Sequence, residues 1–189
     1  MGFVAGVDGC KSGWFAIFLN PDAGKCEPGV FDSIRAILDS PCEPSVIAID
    51  IPIGLLEIAQ RGGRPCDRAA RELLGQPRAR SVFSPPVRKA LAHAADFSAA
   101  LRANRATSSE DIGISKQCHA LFPKLREANS SKLGSRVYEV HPELCFYEMN
   151  KCQPMRHSKK AKNGAGIKER IKVLRETQFA EFLPKIMEN

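Results

Sequence analysis

Phe3-Val4-Ala5-Gly6-Val7 is the first apolar block of the chain, and a carboxylate, Asp8, closes it. A glycine-bounded turn, Asp8-Gly9-Cys10-Lys11-Ser12-Gly13, leads directly into Trp14-Phe15-Ala16-Ile17-Phe18-Leu19. That pattern predicts a strand, a tight connection and a returning strand. A third strand is expected at about 26–31, after the turn Asn20-Pro21-Asp22-Ala23-Gly24. Asp32-Ser33 then caps a short helix carrying Ile34, Ile37 and Leu38 on one face. Pro41 and Pro44 end it, and Ser45-Val46-Ile47-Ala48-Ile49 reads as a buried strand that also closes on a carboxylate, Asp50. Two hairpins followed by a helical crossover imply a mixed sheet, because the last step is a parallel connection.

From Arg61 to Ser135 the pattern changes to helix and loop. Arg64-Pro65-Cys66-Asp67 opens a helix that runs from Arg68 to Leu74 and stops at Gly75. Ser81-Val82-Phe83-Ser84-Pro85-Pro86 is a proline-stiffened extended loop. Helical periodicity returns over 87–102 and 114–127, with Pro123 kinking or dividing the second stretch. A last strand, Arg136-Val137-Tyr138-Glu139-Val140, ends at His141-Pro142. After a basic, apolar-poor stretch over 151–166, Ile167, Ile171 and Leu174 mark a helix to about Thr177.

At 189 residues the chain suits one domain, here 1–189 with a mainly helical insertion at about 61–135. No window reaches the roughly 18 consecutive apolar residues of a membrane span, and no basic leader precedes the first apolar block, so a soluble, cytoplasmic protein is expected. The seven cysteines are scattered and odd in number. They favour reduced thiols over a disulfide framework or a zinc knuckle. The net charge of +7 is uneven: residues 1–60 carry three Lys/Arg against eight Asp/Glu, and residues 61–189 carry 25 against 13. An acidic strand-rich part joined to a basic helical part suits a polyanion held against metal-binding carboxylates.

Neighbouring strands lie about 4.8 Å apart, so carboxylates at matching ends share one cation if their strands are adjacent. Asp8 and Asp50 make such a pair, alone a turn residue and a capping residue, together a candidate Mg²⁺ or Mn²⁺ site. Glu139 and His141 stand two apart, hence on one side of their strand, opposite Tyr138 and Val140, with Glu143 just beyond. Glu139 is a candidate third ligand, His141 a candidate general base or phosphate contact, and a polar edge strand with a capping Glu143 is the simpler alternative. Asp67 and Arg71, at i and i+4, favour an intrahelical ion pair. Alternatively, the helix N-terminus faces the site and Arg64 with Arg68 or Arg71 grips phosphate. Lys159 and Lys160, in Ser158-Lys159-Lys160-Ala161-Lys162, are either phosphate contacts or solvated charge.

Taken in order, Gly6-Val7-Asp8-Gly9-Cys10-Lys11-x-Gly13-Trp14, Ile49-Asp50-Ile51-Pro52-Ile53-Gly54 and Arg64-Pro65-Cys66-Asp67-Arg68-x-x-Arg71 form one motif series. It continues through Ser81-Val82-Phe83-Ser84-Pro85-Pro86-x-Arg88, Tyr138-Glu139-Val140-His141-Pro142-Glu143 and Ser158-Lys159-Lys160. The series resembles a prokaryotic domain-of-unknown-function family described as predicted ribonuclease H-like nucleases. The resemblance implies an α/β, ribonuclease H-like fold, a five-stranded mixed sheet with helices on both faces. It implies Asp8 on the first strand and Asp50 on the fourth, neighbours where nucleases of this superfamily hold divalent metal. With the residue reading, Glu139 is a candidate third Mg²⁺ or Mn²⁺ ligand, His141 a candidate catalytic residue, and Lys11, Arg64, Asp67, Arg71, Arg88, Lys159 and Lys160 are candidate contacts to phosphate or nucleic acid. Members of that family run on to a C-terminal helix bearing an Asp-Asp-x-x-Asp-Ala-like motif. This chain ends at Ile186-Met187-Glu188-Asn189, so that helix is expected to be truncated here. The expected function is a metal-dependent nuclease acting on nucleic acid or nucleotide. The alternatives are an actin-like or sugar-kinase-type phosphotransferase, whose hairpin would wrap ATP phosphates through Lys11 and Ser12, and an inactive nucleic-acid-binding protein.

Overall fold

A computed structural model of the chain describes residues 2–184. The final Ile186-Met187-Glu188-Asn189, on which the expected shortening of the C-terminal helix rests, lies outside them. Five strands form one mixed sheet in the order β3-β2-β1-β4-β5, an α/β fold. They are β1 (Val4–Cys10), β2 (Gly13–Asn20), β3 (Lys25–Phe31), β4 (Val46–Asp50) and β5 (Val137–Glu139). The first three pair as antiparallel hairpins, and β4 joins β1 in parallel after the short helix α1 (Ile34–Leu38). β5 then adds to β4, again in parallel.

Period-two alternation sorts the sheet into two faces. Ala5, Val7, Trp14, Ala16, Phe18, Ile47 and Ile49 are buried on one face, in a single core with Ile34 and Ile37 of α1. Phe122, Leu125 and Ala128 of α5 (Phe122–Ser130) join the same core. On the other face Phe15, Val30, Val46 and Tyr138 are exposed. The β1–β2 connection is as tight as the glycines suggested: Cys10 pairs with Gly13, leaving Lys11 and Ser12 as a two-residue turn. Gly13 has φ of +141°, and a Cβ there would lie 2.2 Å from the Phe31 carbonyl oxygen, so only glycine fits.

Two expected elements change in the structure, and a third divides at Pro123 as expected. The stretch at 87–102 divides into a 3-10 turn, Arg88–His93, and α3 (Phe97–Arg105), because Asp96 accepts the Ala99 amide and starts a new helix. Pro123 divides its stretch into α4 (Lys116–Ala120) and α5. α7 (Ala165–Arg175) buries Gly166, Arg170 and Val173, while Ile167 is exposed, so an arginine rather than the isoleucine occupies its inner face. The helix α2 (Pro65–Arg78) departs from helical backbone at Gly75, where its end was expected. Unexpected is α6 (Pro142–Met149), which begins directly after β5. A small cluster of Ala70, Leu74 and Val82 with Leu144 and Tyr147 packs α2 against it.

Glu127 of α5 fastens the helical layer to the sheet. One carboxylate oxygen accepts from the fully buried Trp14 indole at 2.8 Å, and the other accepts from the Ile34 amide at the start of α1 at 2.6 Å. Replacing it by alanine leaves two largely enclosed donors without partners, a loss of about 2 kcal/mol. Urea unfolding should therefore show Glu127→Ala at a clearly lower midpoint and Glu127→Gln between it and the parent. Equal midpoints for all three would remove Glu127 as the fastening.

Candidate functional site

Asp8 and Asp50 are register partners on the adjacent parallel strands β1 and β4, at the C-terminal ends of both. Both alternate with core residues (Val7 and Ile49) and therefore project from the face opposite the main core. Asp8 is exposed and Asp50 half-buried. Burial, followed by the charge of Asp8, pushes the Asp50 carboxyl up to about 6, against weaker lowering by His141 and Lys159. A carboxylate pair of this kind holds a proton or a cation in preference to bare charge.

Two cavities meet at Asp50. One, of about 510 Å³, is lined by Asp8, Lys11, Lys124, Pro123 and Leu121. The other, of about 410 Å³, is bordered by Val82, Leu144, Cys145, Glu139 and His141. Asp50, Ile51, Pro52 and Phe83 belong to both. Lys124 reaches its place across Gly9 and over the Trp14 ring, 4.6 Å from the centroid, and donates to the Gly13 carbonyl. The loop after β4 is held by Asn129, which accepts the Gly54 amide at 3.1 Å and donates to the Pro52 carbonyl at 2.9 Å.

Glu139 is placed differently from its expected role. Its register partner is Ile49, not Asp50, so it stands on the core side of the sheet. There Arg64 donates to both its oxygens, at 2.5 and 2.7 Å, and the Ile53 amide donates to one at 2.7 Å. The same guanidinium bonds Asp67 at 2.6 Å and the Ile53 carbonyl at 2.6 Å. Burial acts to lower the Arg64 pKa, but hydrogen bonds and charge from Glu139 and Asp67 outweigh it and hold the group above its ordinary value. Among the described residues no three His, Cys, Asp or Glu side chains gather as a metal-ligating cluster. The third carboxylate expected beside the pair is thus committed to an arginine.

Asp67 pairs with Arg64 rather than with Arg71, and it also accepts the Arg64 amide at 2.8 Å, closing the N-terminus of α2. Arg71 instead donates to the carbonyls of Gly62 and Val82 and to the Ser84 hydroxyl, bracing the proline-rich loop. Arg88 pairs with Glu57 at 2.8 Å and lines neither cavity. His141 is outside the strand: it caps α6, with Nδ1 accepting the Glu143 amide and Nε2 lying 3.3 Å from the Ser81 carbonyl. Glu143 pairs with the buried Arg170 of α7.

Lys159 and Lys160 are exposed, but the backbone beside them is pinned. Glu169 accepts the amides of Arg156 and His157, and Arg170 donates to the His157 carbonyl. A Cβ on Gly166 would lie 1.9 Å from the Ser158 carbonyl oxygen, so glycine lets α7 press on this turn. Lys159 is in consequence near enough to Asp50 to lower its pKa. Asn129, Lys124 and Cys145 carry no motif signal in the sequence. Cys145 opens on the smaller cavity, and burial, then the charge of Asp50, raises its thiol pKa.

The pair passes a chemical test for a hard cation. It supplies oxygen donors alone, opens to water on the Asp8 side, and has one member whose ionised state is penalised until positive charge arrives. Mg²⁺ is commonly bound through one or two carboxylates with water and substrate phosphate completing its shell. The chain belongs to the family described as "Protein of unknown function (DUF429)", whose model matches residues 6–187. No curated protein and no solved structure matches the chain significantly.

The raised Asp50 pKa has a defined sign. The folded chain keeps this proton to about 6, whereas the ordinary value is 3.8, so its stabilising contribution is present at low pH and is lost as the pH rises through about 6. Carboxyl ¹³C NMR of the metal-free protein should place the Asp50 midpoint near 6, and Asp8→Asn should lower it. A midpoint near 4 in the parent protein would show that the carboxylates do not share a site.

Proposed function

We propose that the protein is a ribonuclease H-like, metal-dependent phosphodiesterase acting on nucleic acid, in a cytoplasmic setting that accords with its seven free cysteines. The observation that carries this reading is the register pairing of Asp8 with Asp50 at the open end of two parallel strands. Asp8 and Asp50 would hold Mg²⁺ or Mn²⁺. Such a cation, when bound, would orient an attacking water and stabilise charge on the phosphoryl and leaving oxygens.

The chain's own groups do the rest. Asp50, with its pKa of about 6, is ionised at neutral pH yet poorly solvated, and so favours a bound cation over water. Lys11 and Lys124 place positive charge on the wall of the larger cavity, where a phosphodiester backbone would lie. Lys159 brings further positive charge from the turn secured by α7. Arg64, buried and fully engaged, holds the end of β5 and the loop after β4 in place rather than contacting substrate.

The binding-only alternative draws support from one observation, the capture of Glu139 by Arg64, which leaves two carboxylates at the pair. Salt-sensitive oligonucleotide binding with no turnover would favour it.

With Mg²⁺ or Mn²⁺ and single- and double-stranded DNA and RNA oligonucleotides, cleavage should fall at least about a hundredfold in Asp8→Asn and in Asp50→Asn. Undiminished cleavage in either variant would overturn the site assignment. Lys159→Ala should weaken oligonucleotide binding across sequences and reduce the log–log salt slope by about 1. An unchanged slope would assign Lys159 to solvent.

A further inference from the structure

The smaller cavity has a chemistry that a phosphodiester backbone does not use. Its wall is mainly apolar, with Ala70, Val82, Phe83 and Leu144 among its residues, and its volume of about 410 Å³ lies in the range of small-molecule pockets. Its polar lining includes Asp50, the mutually bonded Arg64, Asp67 and Glu139, and His141, which is held by the Glu143 amide; Glu148 and the Cys145 thiol add an acceptor and a donor. Phe83, 37% exposed, stands where this cavity joins the one beside Asp8. Asp50 thus has an apolar chamber on one side and the lysine-bearing wall on the other.

On the basis of the phosphodiesterase reading, we infer that the chamber receives a single unpaired nucleobase, stacked against Phe83, while the phosphate attached to it reaches the cation that Asp8 and Asp50 would hold. A flat heteroaromatic ring needs an apolar slot for its faces and mixed polar partners for its edges, and the chamber supplies both. An alkyl chain would use only the apolar part of this lining and nothing of Glu148 or the Cys145 thiol. A ring inside a continuous duplex cannot enter a chamber of this kind without leaving its stack. The substrate class is therefore a nucleotide, a single strand or an extruded base, not undisturbed duplex.

The test uses 2-aminopurine riboside 5′-monophosphate, which reports stacking by fluorescence and contains no phosphodiester bond, beside ribose 5-phosphate, both with Mn²⁺. The parent protein should bind the nucleotide saturably and at least about tenfold more tightly than the sugar phosphate. Cys145→Phe, which fills the chamber from α6, and Phe83→Ala, which removes the platform at a partly exposed position, should each weaken nucleotide binding about tenfold. Both should leave ribose 5-phosphate binding, Mn²⁺ binding and thermal unfolding as in the parent. Equal binding of the two probes, or parent-like nucleotide binding in both variants, would overturn the inference. Base-dependent binding without oligonucleotide cleavage keeps the chamber and overturns the phosphodiesterase reading. Cleavage without base dependence does the reverse.

Discussion

Arg64 is the side chain on which the geometry of the site rests. It is 4% exposed, and its donors reach Asp67, Glu139 and the Ile53 carbonyl. Those partners belong to α2, β5 and the loop after β4, so one planar cation joins three segments distant in sequence. A buried guanidinium is tolerable only when all its donors are used, and the two carboxylates also offset its charge. The geometry leaves little freedom: a lysine in the same place could not serve three partners in one plane. The chamber beside Asp50 is bounded by these same segments and depends on their alignment.

The carboxylate pair was legible in the sequence because strand alternation and strand ends can be read from apolar blocks. Asp8 and Asp50 each follow a short apolar run, and parallel pairing of those runs aligns them. What could not be read is which long side chain reaches which partner. Asp67 and Arg71 have the spacing of an ion pair, yet Arg64 takes Asp67, since it also needs Glu139 within reach of one guanidinium. Glu139 was expected beside the aspartates because its strand was known but its register was not. One residue of register decides the face, and pairing with Ile49 turns it inward.

Helix α6 shows a different limit. His141-Pro142 looked like the end of a strand, and the strand stops just before it, at Glu139. It is also a cap followed by proline in the first helical turn, a place where the missing amide is harmless. The basic stretch before α7 carried no apolar pattern, and its order comes from Glu169, Gly166 and Arg170 instead. Polar anchoring of this kind leaves no periodic trace. Arg170 on the inner face of α7 belongs to the same class, since its burial depends on Glu143 from another helix.

Asp50 is a shared wall of both cavities, so the proposed occupants of the two would be thermodynamically linked. Filling the apolar one removes water from one flank of the carboxylate and raises its demand for positive charge. A cation on the other flank answers that demand, and in doing so makes the drier environment easier to accept. Each occupant would therefore alter the affinity for the other by the same factor, whichever arrives first. A single aspartate, half-buried between two cavities, would be enough to make the two proposed binding events one cooperative unit.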